Sequence, residues 1–270
     1  MKETGSMQNQ LEISHLVVNG CSFTYCQGLD KPHEQGWPAI LSRLLNVPVV
    51  NLAMGGSGND GICRRTYEYF YKDYKDSKPF YIIALSGSAR REEFYTKYLD
   101  KDVNDFINMR ITFSENEPPE DYEYEHILHM NYNVRERLKL LYAAQIINLL
   151  KANKINYFTT DFMPTRDINV TNYINKYHKG LSDYFYKDEN KILNFTEIVR
   201  RLQSLPCGHV AEVGNIALAN YIYEKLLARY KKIVPVESPY LKLKDFYEPT
   251  TLSRYDFHHW INQYVFTKQV

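Results

Sequence analysis

The sequence has almost no net charge: 33 Lys and Arg stand against 32 Asp and Glu, leaving +1. That balance makes no electrostatic case for a nucleic acid or an anionic membrane surface as partner. No apolar run approaches the ~20 residues that a membrane span requires. The opening MKETGSM has no apolar signal core and reads as an added tag ahead of a native Met7, which points to a cytoplasmic protein. Cysteine is scarce too. Cys21, Cys26, Cys63 and Cys207 form no CxxC pair and match no common zinc spacing, so a reducing compartment is expected and no metal or other cofactor is implied. Internal repeats and low-complexity tracts are absent. What is abundant is tyrosine, at 24 residues; with frequent Asn, Lys and Ile it suggests an AT-rich coding genome rather than a function.

Between these absences the first half alternates strand and helix signals. Strands are expected at His15–Asn19, Pro48–Leu52, Phe80–Leu85 and Ile155–Thr160, as short apolar runs bounded by small residues. Helices are expected at Trp37–Asn46, Gly61–Tyr74 with Asn59 or Asp60 as N-cap, Asn133–Ala152, Phe195–Gln203 and Ala211–Tyr230. Residues 165–192 are polar and aromatic and give no firm pattern. The charged stretch 96–132, containing EPPEDYEYE, reads as an insertion over the sheet, lid-like. Residues 1–12 read as a tag or N-terminal extension, 13–232 as one α/β domain and 233–270 as a C-terminal tail packing on it. Strands separated by helices favour a three-layer α/β/α domain with a mostly parallel sheet. Such sheets present ligands at the carboxyl ends of their strands, and three small-residue turns sit there: NGCSFT, AMGGSGND and SGSARRE.

Those turns carry chemistry. Ser22 follows the first strand, Gly56 the second and Ser86 the third; His209 precedes the last helix. A hydroxyl nucleophile, an imidazole base and donors for an oxyanion are the equipment for acyl transfer. Each has an ordinary alternative. A serine in such a turn is commonly structural, GGSG alone is a phosphate-cradling loop of low specificity, and a lone histidine can simply pack. Arg90, Arg91 and Glu92 are either a solvated helix start or contacts to an anionic or carbohydrate substrate. His258, His259 and Trp260 read as packing aromatics. Of the adjacent Cys21 and Ser22 only one should face a crevice, because neighbours at a strand end point opposite ways. Ser22 is the choice, with Cys21 and Cys207 as small buried packing residues.

Taken together these blocks resemble the SGNH, or GDSL, hydrolase superfamily over roughly residues 13–230. Gly20-Cys21-Ser22-Phe23-Thr24 stands for the G-D-S block, NLAMGGSGND for the second block and CGHVAEVGNIALANYIYEKL for the block with the catalytic histidine. G-C-S-F-T, with a serine-rich third block followed by Arg and Glu, is closest to divergent members found in bacteriophage genomes. The resemblance implies a flavodoxin-like fold and a serine esterase acting on a small-molecule, glycan or lipid ester. Ser22 would be the nucleophile and His209 the base, with the oxyanion held by Ser22, Gly56 and Ser86. Three departures are visible. Cys21 replaces the Asp of the first block. The third block lacks its Asn, leaving the Ser86 hydroxyl or Asn59 as substitutes, with Arg90 nearby. The Asp expected two or three residues before the histidine is replaced by Pro206 and Cys207, which leaves a Ser–His dyad, a backbone carbonyl, or a carboxylate such as Asp161 or Glu212. These departures also admit a weakened, non-catalytic binding module. An acyltransferase on the same scaffold is the third reading.

Overall fold

The computed structural model describes residues 10–73, 77–88, 90, 132–164, 168–192, 205 and 208–236. The insertion up to residue 131, the helix expected at 195–203 and the tail beyond residue 236 lie outside the described residues. Among the described residues the elements are, in chain order, β1 (Leu11–Ile13), β2 (His15–Asn19), α1 (Ser22–Tyr25), α2 (Pro32–Gln35), α3 (Trp37–Leu45), β3 (Val49–Asn51), α4 (Asn59–Asp73), β4 (Pro79–Leu85), α5 (Tyr132–Ala152), β5 (Asn156–Asp161), α6 (Ile168–Tyr177), α7 (Lys179–Tyr186), α8 (Glu212–Arg229) and β6 (Ile233–Pro235).

Four strands make a parallel sheet in the order β3-β2-β4-β5. Both of its faces are covered, so β2 and β4 are buried at every position. Alternation divides their side chains cleanly. Leu16, Val18, Phe80, Ile82 and Ala84 join Trp37, Leu41, Leu218 and Ile222 from α3 and α8. Val17, Tyr81, Ile83 and Leu85 join Ile62, Leu140, Ile147 and Phe185 from α4, α5 and α7. Each such side chain, fully buried, contributes about 1.5–3 kcal/mol of transfer free energy.

The topology fixes where a ligand can lie. From β2 the chain crosses through α3 to β3 on one side; from β3 it crosses back through α4 to β4 on the other. The direction of winding therefore reverses at the carboxyl end of β2, and reversal opens a crevice there. Ser22 is the third residue beyond that end.

The three-layer α/β/α architecture with a parallel sheet is as expected, and the long elements fall within two residues of their predicted bounds at most ends. Besides the single turns α1 and α2, which the sequence reading did not assign, three features differ from it. Leu11–Ile13 pairs in parallel with Ile233–Pro235 in a separate two-stranded sheet, so buried Leu11 and partly buried Ile233 sit side by side. The unassigned stretch 165–192 contains α6 and α7, each held by few buried side chains: Val170 and Ile174, then Ser182 and Phe185. The helix expected to begin at Gly61 begins at Asn59. Among the described residues no helix is long and apolar enough to cross a membrane.

Candidate active site

The turn after β2 is built around one glycine and one asparagine. The Gly20 N–H donates to Asn19 Oδ1 at 2.9 Å, and Asn19 Nδ2 donates to Ile62 O (2.8 Å) and Thr66 Oγ1 (2.9 Å) on α4. A Cβ at position 20 would lie 2.2 Å from Thr24 Oγ1 and 3.0 Å from Ala84 O, so only glycine fits. The chain then winds into the single turn α1, whose Thr24 and Tyr25 amides both donate to Cys21 O at 2.9 Å. Ser22 is the first residue of that turn. It is 2% exposed, and its Oγ has no hydrogen-bond partner among the described residues. A buried hydroxyl left unpaired costs about 1–3 kcal/mol and is a usual mark of a group kept for a ligand or for chemistry.

The loop after β3 approaches the same place. Leu52 N donates to Val18 O (2.8 Å) and Met54 N to Gly20 O (3.4 Å), which lays residues 52–54 alongside the serine turn. Gly56 is buried with φ +79°, in the left-handed region where glycine carries no penalty. Arg65 reaches back from α4, its Nε donating to Leu52 O (2.9 Å) and its Nη2 to Ser57 Oγ (2.6 Å), and so holds both ends of this loop.

At the end of β4, Ser86 is wholly buried and its Oγ likewise has no hydrogen-bond partner among the described residues. Its backbone is fastened by Asn59, which accepts from Ser86 N (2.8 Å) and donates to Ser86 O (3.1 Å) and Gly87 O (3.4 Å). Asn59 was a possible oxyanion donor by sequence; its amide is instead spent on the backbone that carries Ser86. Arg90 closes the same turn through its N–H to Gly87 O at 3.3 Å.

His209 arrives from the other side, in the loop before α8. Its carbonyl accepts from Leu205 N at 2.7 Å. Its imidazole packs on Phe23 with ring centroids 5.2 Å apart, and Phe23 stacks in turn on Phe162 at 5.4 Å. The structure thus brings Ser22, Gly56, Ser86 and His209 to the carboxyl end of one sheet. It directs Asp161 elsewhere. On β5 the odd residues face α5, and Asp161 Oδ2 pairs with buried Lys139 Nζ at 2.7 Å while Oδ1 accepts from Met163 N. Phe162, the next residue, faces the histidine side. The other acid considered, Glu212, accepts from Gln35 Nε2 at 3.4 Å.

Sequence reasoning missed three of the residues that hold these loops, Asn19, Asn51 and Asn215, and gave the fourth, Asn59, a different role. Asn19, Asn51, Asn59 and Asn215 each bond loop backbone near the site: Asn51 donates to Thr24 O (3.2 Å) and accepts from Ala53 N (3.0 Å), and Asn215 donates to Val210 O. A neutral amide donates and accepts at once without placing a fixed charge beside the serine and histidine. Near Asp161 lies a buried charged group of a different kind. Burial raises the Glu136 carboxyl, lowers Lys191 to about 8 and outweighs their neighbours' charges. No group of three or more His, Cys, Asp or Glu side chains among the described residues could hold a metal ion.

No protein-family model matches this sequence, and no curated protein is significantly similar to it. Solved structures are. One is TesA, 16% identical, with a TM-score of 0.50, covering 78% of this chain and 97% of its own. Another is the psychrotrophic esterase EstA from Pseudoalteromonas sp., 9% identical, with a TM-score of 0.50, covering 80% of this chain and 97% of its own. A lipolytic protein of the G-D-S-L family from Desulfitobacterium hafniense is 15% identical over 78% of this chain and 98% of its own, at a TM-score of 0.44. With a parallel sheet in this order and helices on both faces, the chain has the SGNH/flavodoxin-like α/β/α fold, shared with TesA over 78% and with EstA over 80% of its length.

Proposed function

We propose that the protein is a serine ester hydrolase in which Ser22 is the nucleophile and His209 the base. The observation that carries this reading is the Ser22 hydroxyl: 2% exposed, without a hydrogen-bond partner among the described residues, at the point where the sheet's winding reverses. His209 packs on the residue next to it. Ser22 Oγ attacks the acyl carbonyl as the imidazole takes its proton. The protonated imidazole then gives that proton to the leaving alcohol, and the acyl-enzyme is released by a water that His209 deprotonates. The N–H groups of Ser22 and Gly56 and the hydroxyl of Ser86 receive the oxyanion, each such donor being worth about 3 kcal/mol of barrier.

Met54 and Met163 support an apolar acyl group. They are 39% and 38% exposed, and they leave the loops after β3 and β5, the two edge strands of the sheet. In this reading their soft, adaptable side chains line the crevice on its two sides and suit an alkyl chain.

Labelling with a fluorophosphonate tests the reading. The intact protein is expected to be labelled, Ser22→Ala not at all and His209→Ala far more slowly. Labelling that persists in Ser22→Ala, or a folded wild type that is never labelled, overturns it; the second outcome would favour a non-catalytic binding module.

A further inference from the structure

A serine and a histidine carried on loops far apart in sequence need something to fix their relative position. Asn215, in the first turn of α8, is 1% exposed and uses its whole amide. Its Oδ1 accepts from the Trp37 N–H at 3.1 Å and from the Cys26 thiol at 3.2 Å. Its Nδ2 donates to Val210 O at 3.0 Å and to Ala211 O at 3.1 Å. Two donors and two acceptors are thereby satisfied, the full capacity of the side chain.

Each partner has a place in the site. Cys26 ends α1, the turn that begins with Ser22, and does so in the left-handed conformation at φ +63°. Val210 follows His209 directly. Trp37 opens α3, and its N–H is one of the donors that a helix start leaves without an internal partner. The partners on α1 and α3 lie 189 and 178 residues away in sequence. Burial pushes the Cys26 thiol up to about 12, so it remains a donor at any physiological pH.

We infer that Asn215 is a positioning residue that fixes the His209 loop against the Ser22 turn by bonding the end of α1, the start of α3 and the carbonyls of Val210 and Ala211 at once. The inference rests on the serine-hydrolase reading for its catalytic consequence, but not for its geometry. Asn215 touches no reacting atom; it acts through the backbone on either side.

The geometry and its consequence can be read separately. Imidazole resonances of His209, assigned by their loss in His209→Gln, report its packing against Phe23 through the aromatic ring current. Fluorophosphonate labelling, followed against pH, reports the serine. Two variants are compared with wild type. Asn215→Ala removes every bond. Asn215→Asp keeps the shape and both acceptor bonds but loses the donors to Val210 and Ala211. Leu226→Ala, buried in the same helix and the same core, controls for lost stability. Both Asn215 variants are expected to move the His209 resonances, shift the pH profile and slow labelling by about ten- to a hundredfold, the effect of a misplacement near 1 Å. Leu226→Ala is expected to lower the melting temperature while leaving all three readouts in place. Unmoved His209 resonances in the Asn215 variants, or equal changes in Leu226→Ala, overturn the inference. A folded wild type that is never labelled removes the hydrolase reading alone, and the resonances still decide the role of Asn215.

Discussion

His209 rests on Phe23, ring centroids 5.2 Å apart, and Phe23 is the residue directly after Ser22. The imidazole is thus placed by contact with the turn that carries Ser22. Phe23 is in turn held by Phe162 at 5.4 Å, from the end of β5. Three segments meet in one aromatic column whose end is the imidazole.

That column predicts the effect of removing its middle. Phe23→Leu keeps an apolar side chain and is expected to cost no more than about 1.5 kcal/mol in stability. It removes the aromatic ring against which the imidazole packs, so kcat for ester hydrolysis should fall about tenfold or more with KM little changed. Steady-state kinetics beside a urea melt check this; an unchanged kcat would show that His209 is placed without Phe23.

Asn59 predicts a stability effect with a catalytic consequence. Asn59→Ala strips the partners from Ser86 N–H and Ser86 O in a buried place. Each unsatisfied group costs about 1–3 kcal/mol, so denaturant melts should show a loss of about 2–5 kcal/mol. Gly20→Ala is expected to be worse, because its methyl would have to displace Thr24 Oγ1 from 2.2 Å and press on the Ala84 carbonyl at 3.0 Å. A soluble, stably folded Gly20→Ala protein would refute the packing argument.

These asparagines also show where sequence reading stops. β2 and β4 are legible because both faces are covered and their runs are apolar without interruption. α3 is legible because its stripe faces one core. The pieces of the site were legible as small residues at strand ends. Their fastenings were not: Asn19 bonds Thr66, Asn59 bonds Ser86 and Asn215 bonds Trp37, at separations of 47, 27 and 178 residues. Nothing local marks an asparagine whose partner lies in another layer. The same holds for β1 and β6, three residues each, too short for a period to show. Asp161 was considered as the orienting carboxylate because it ends a strand; only the parity of β5, set by its pairing with β4, directs it to Lys139 instead.

The two exposed methionines predict chain-length preference. If Met54 and Met163 contact the acyl chain, butyrate and hexanoate esters should show lower KM than acetate, since each buried CH₂ is worth about 0.8 kcal/mol. Met54→Ser with Met163→Ser should flatten that series while leaving acetate hydrolysis near its original rate. A series of p-nitrophenyl esters makes the comparison; a double variant with the original chain-length slope would place the acyl group elsewhere.

The last prediction concerns acid stability and comes from the opposite end of the sheet. His15 opens β2 and is 2% exposed. Its Nδ1 is 2.8 Å from Ser14 Oγ and its Nε2 is 3.1 Å from Tyr69 Oη, so both ring nitrogens are engaged without any opposite charge. Burial lowers its pKa from 6.5 to about 4. The folded protein thus refuses a proton that the unfolded chain accepts below about 6.5. Between those values the unfolded state binds more protons, and stability must fall as pH falls. The contribution is complete above about pH 6.5 and lost by about pH 4. At about 1.4 kcal/mol for each pH unit across that window, roughly 3 kcal/mol disappears. Urea melts at pH 7.5, 5.5 and 4.5 should show that decline in the wild type. In His15→Gln, which keeps hydrogen-bonding capacity but cannot titrate, the slope between pH 6.5 and 4 should be shallower by the same amount. Equal slopes in the two proteins would mean that His15 is not the group that takes up the proton on unfolding.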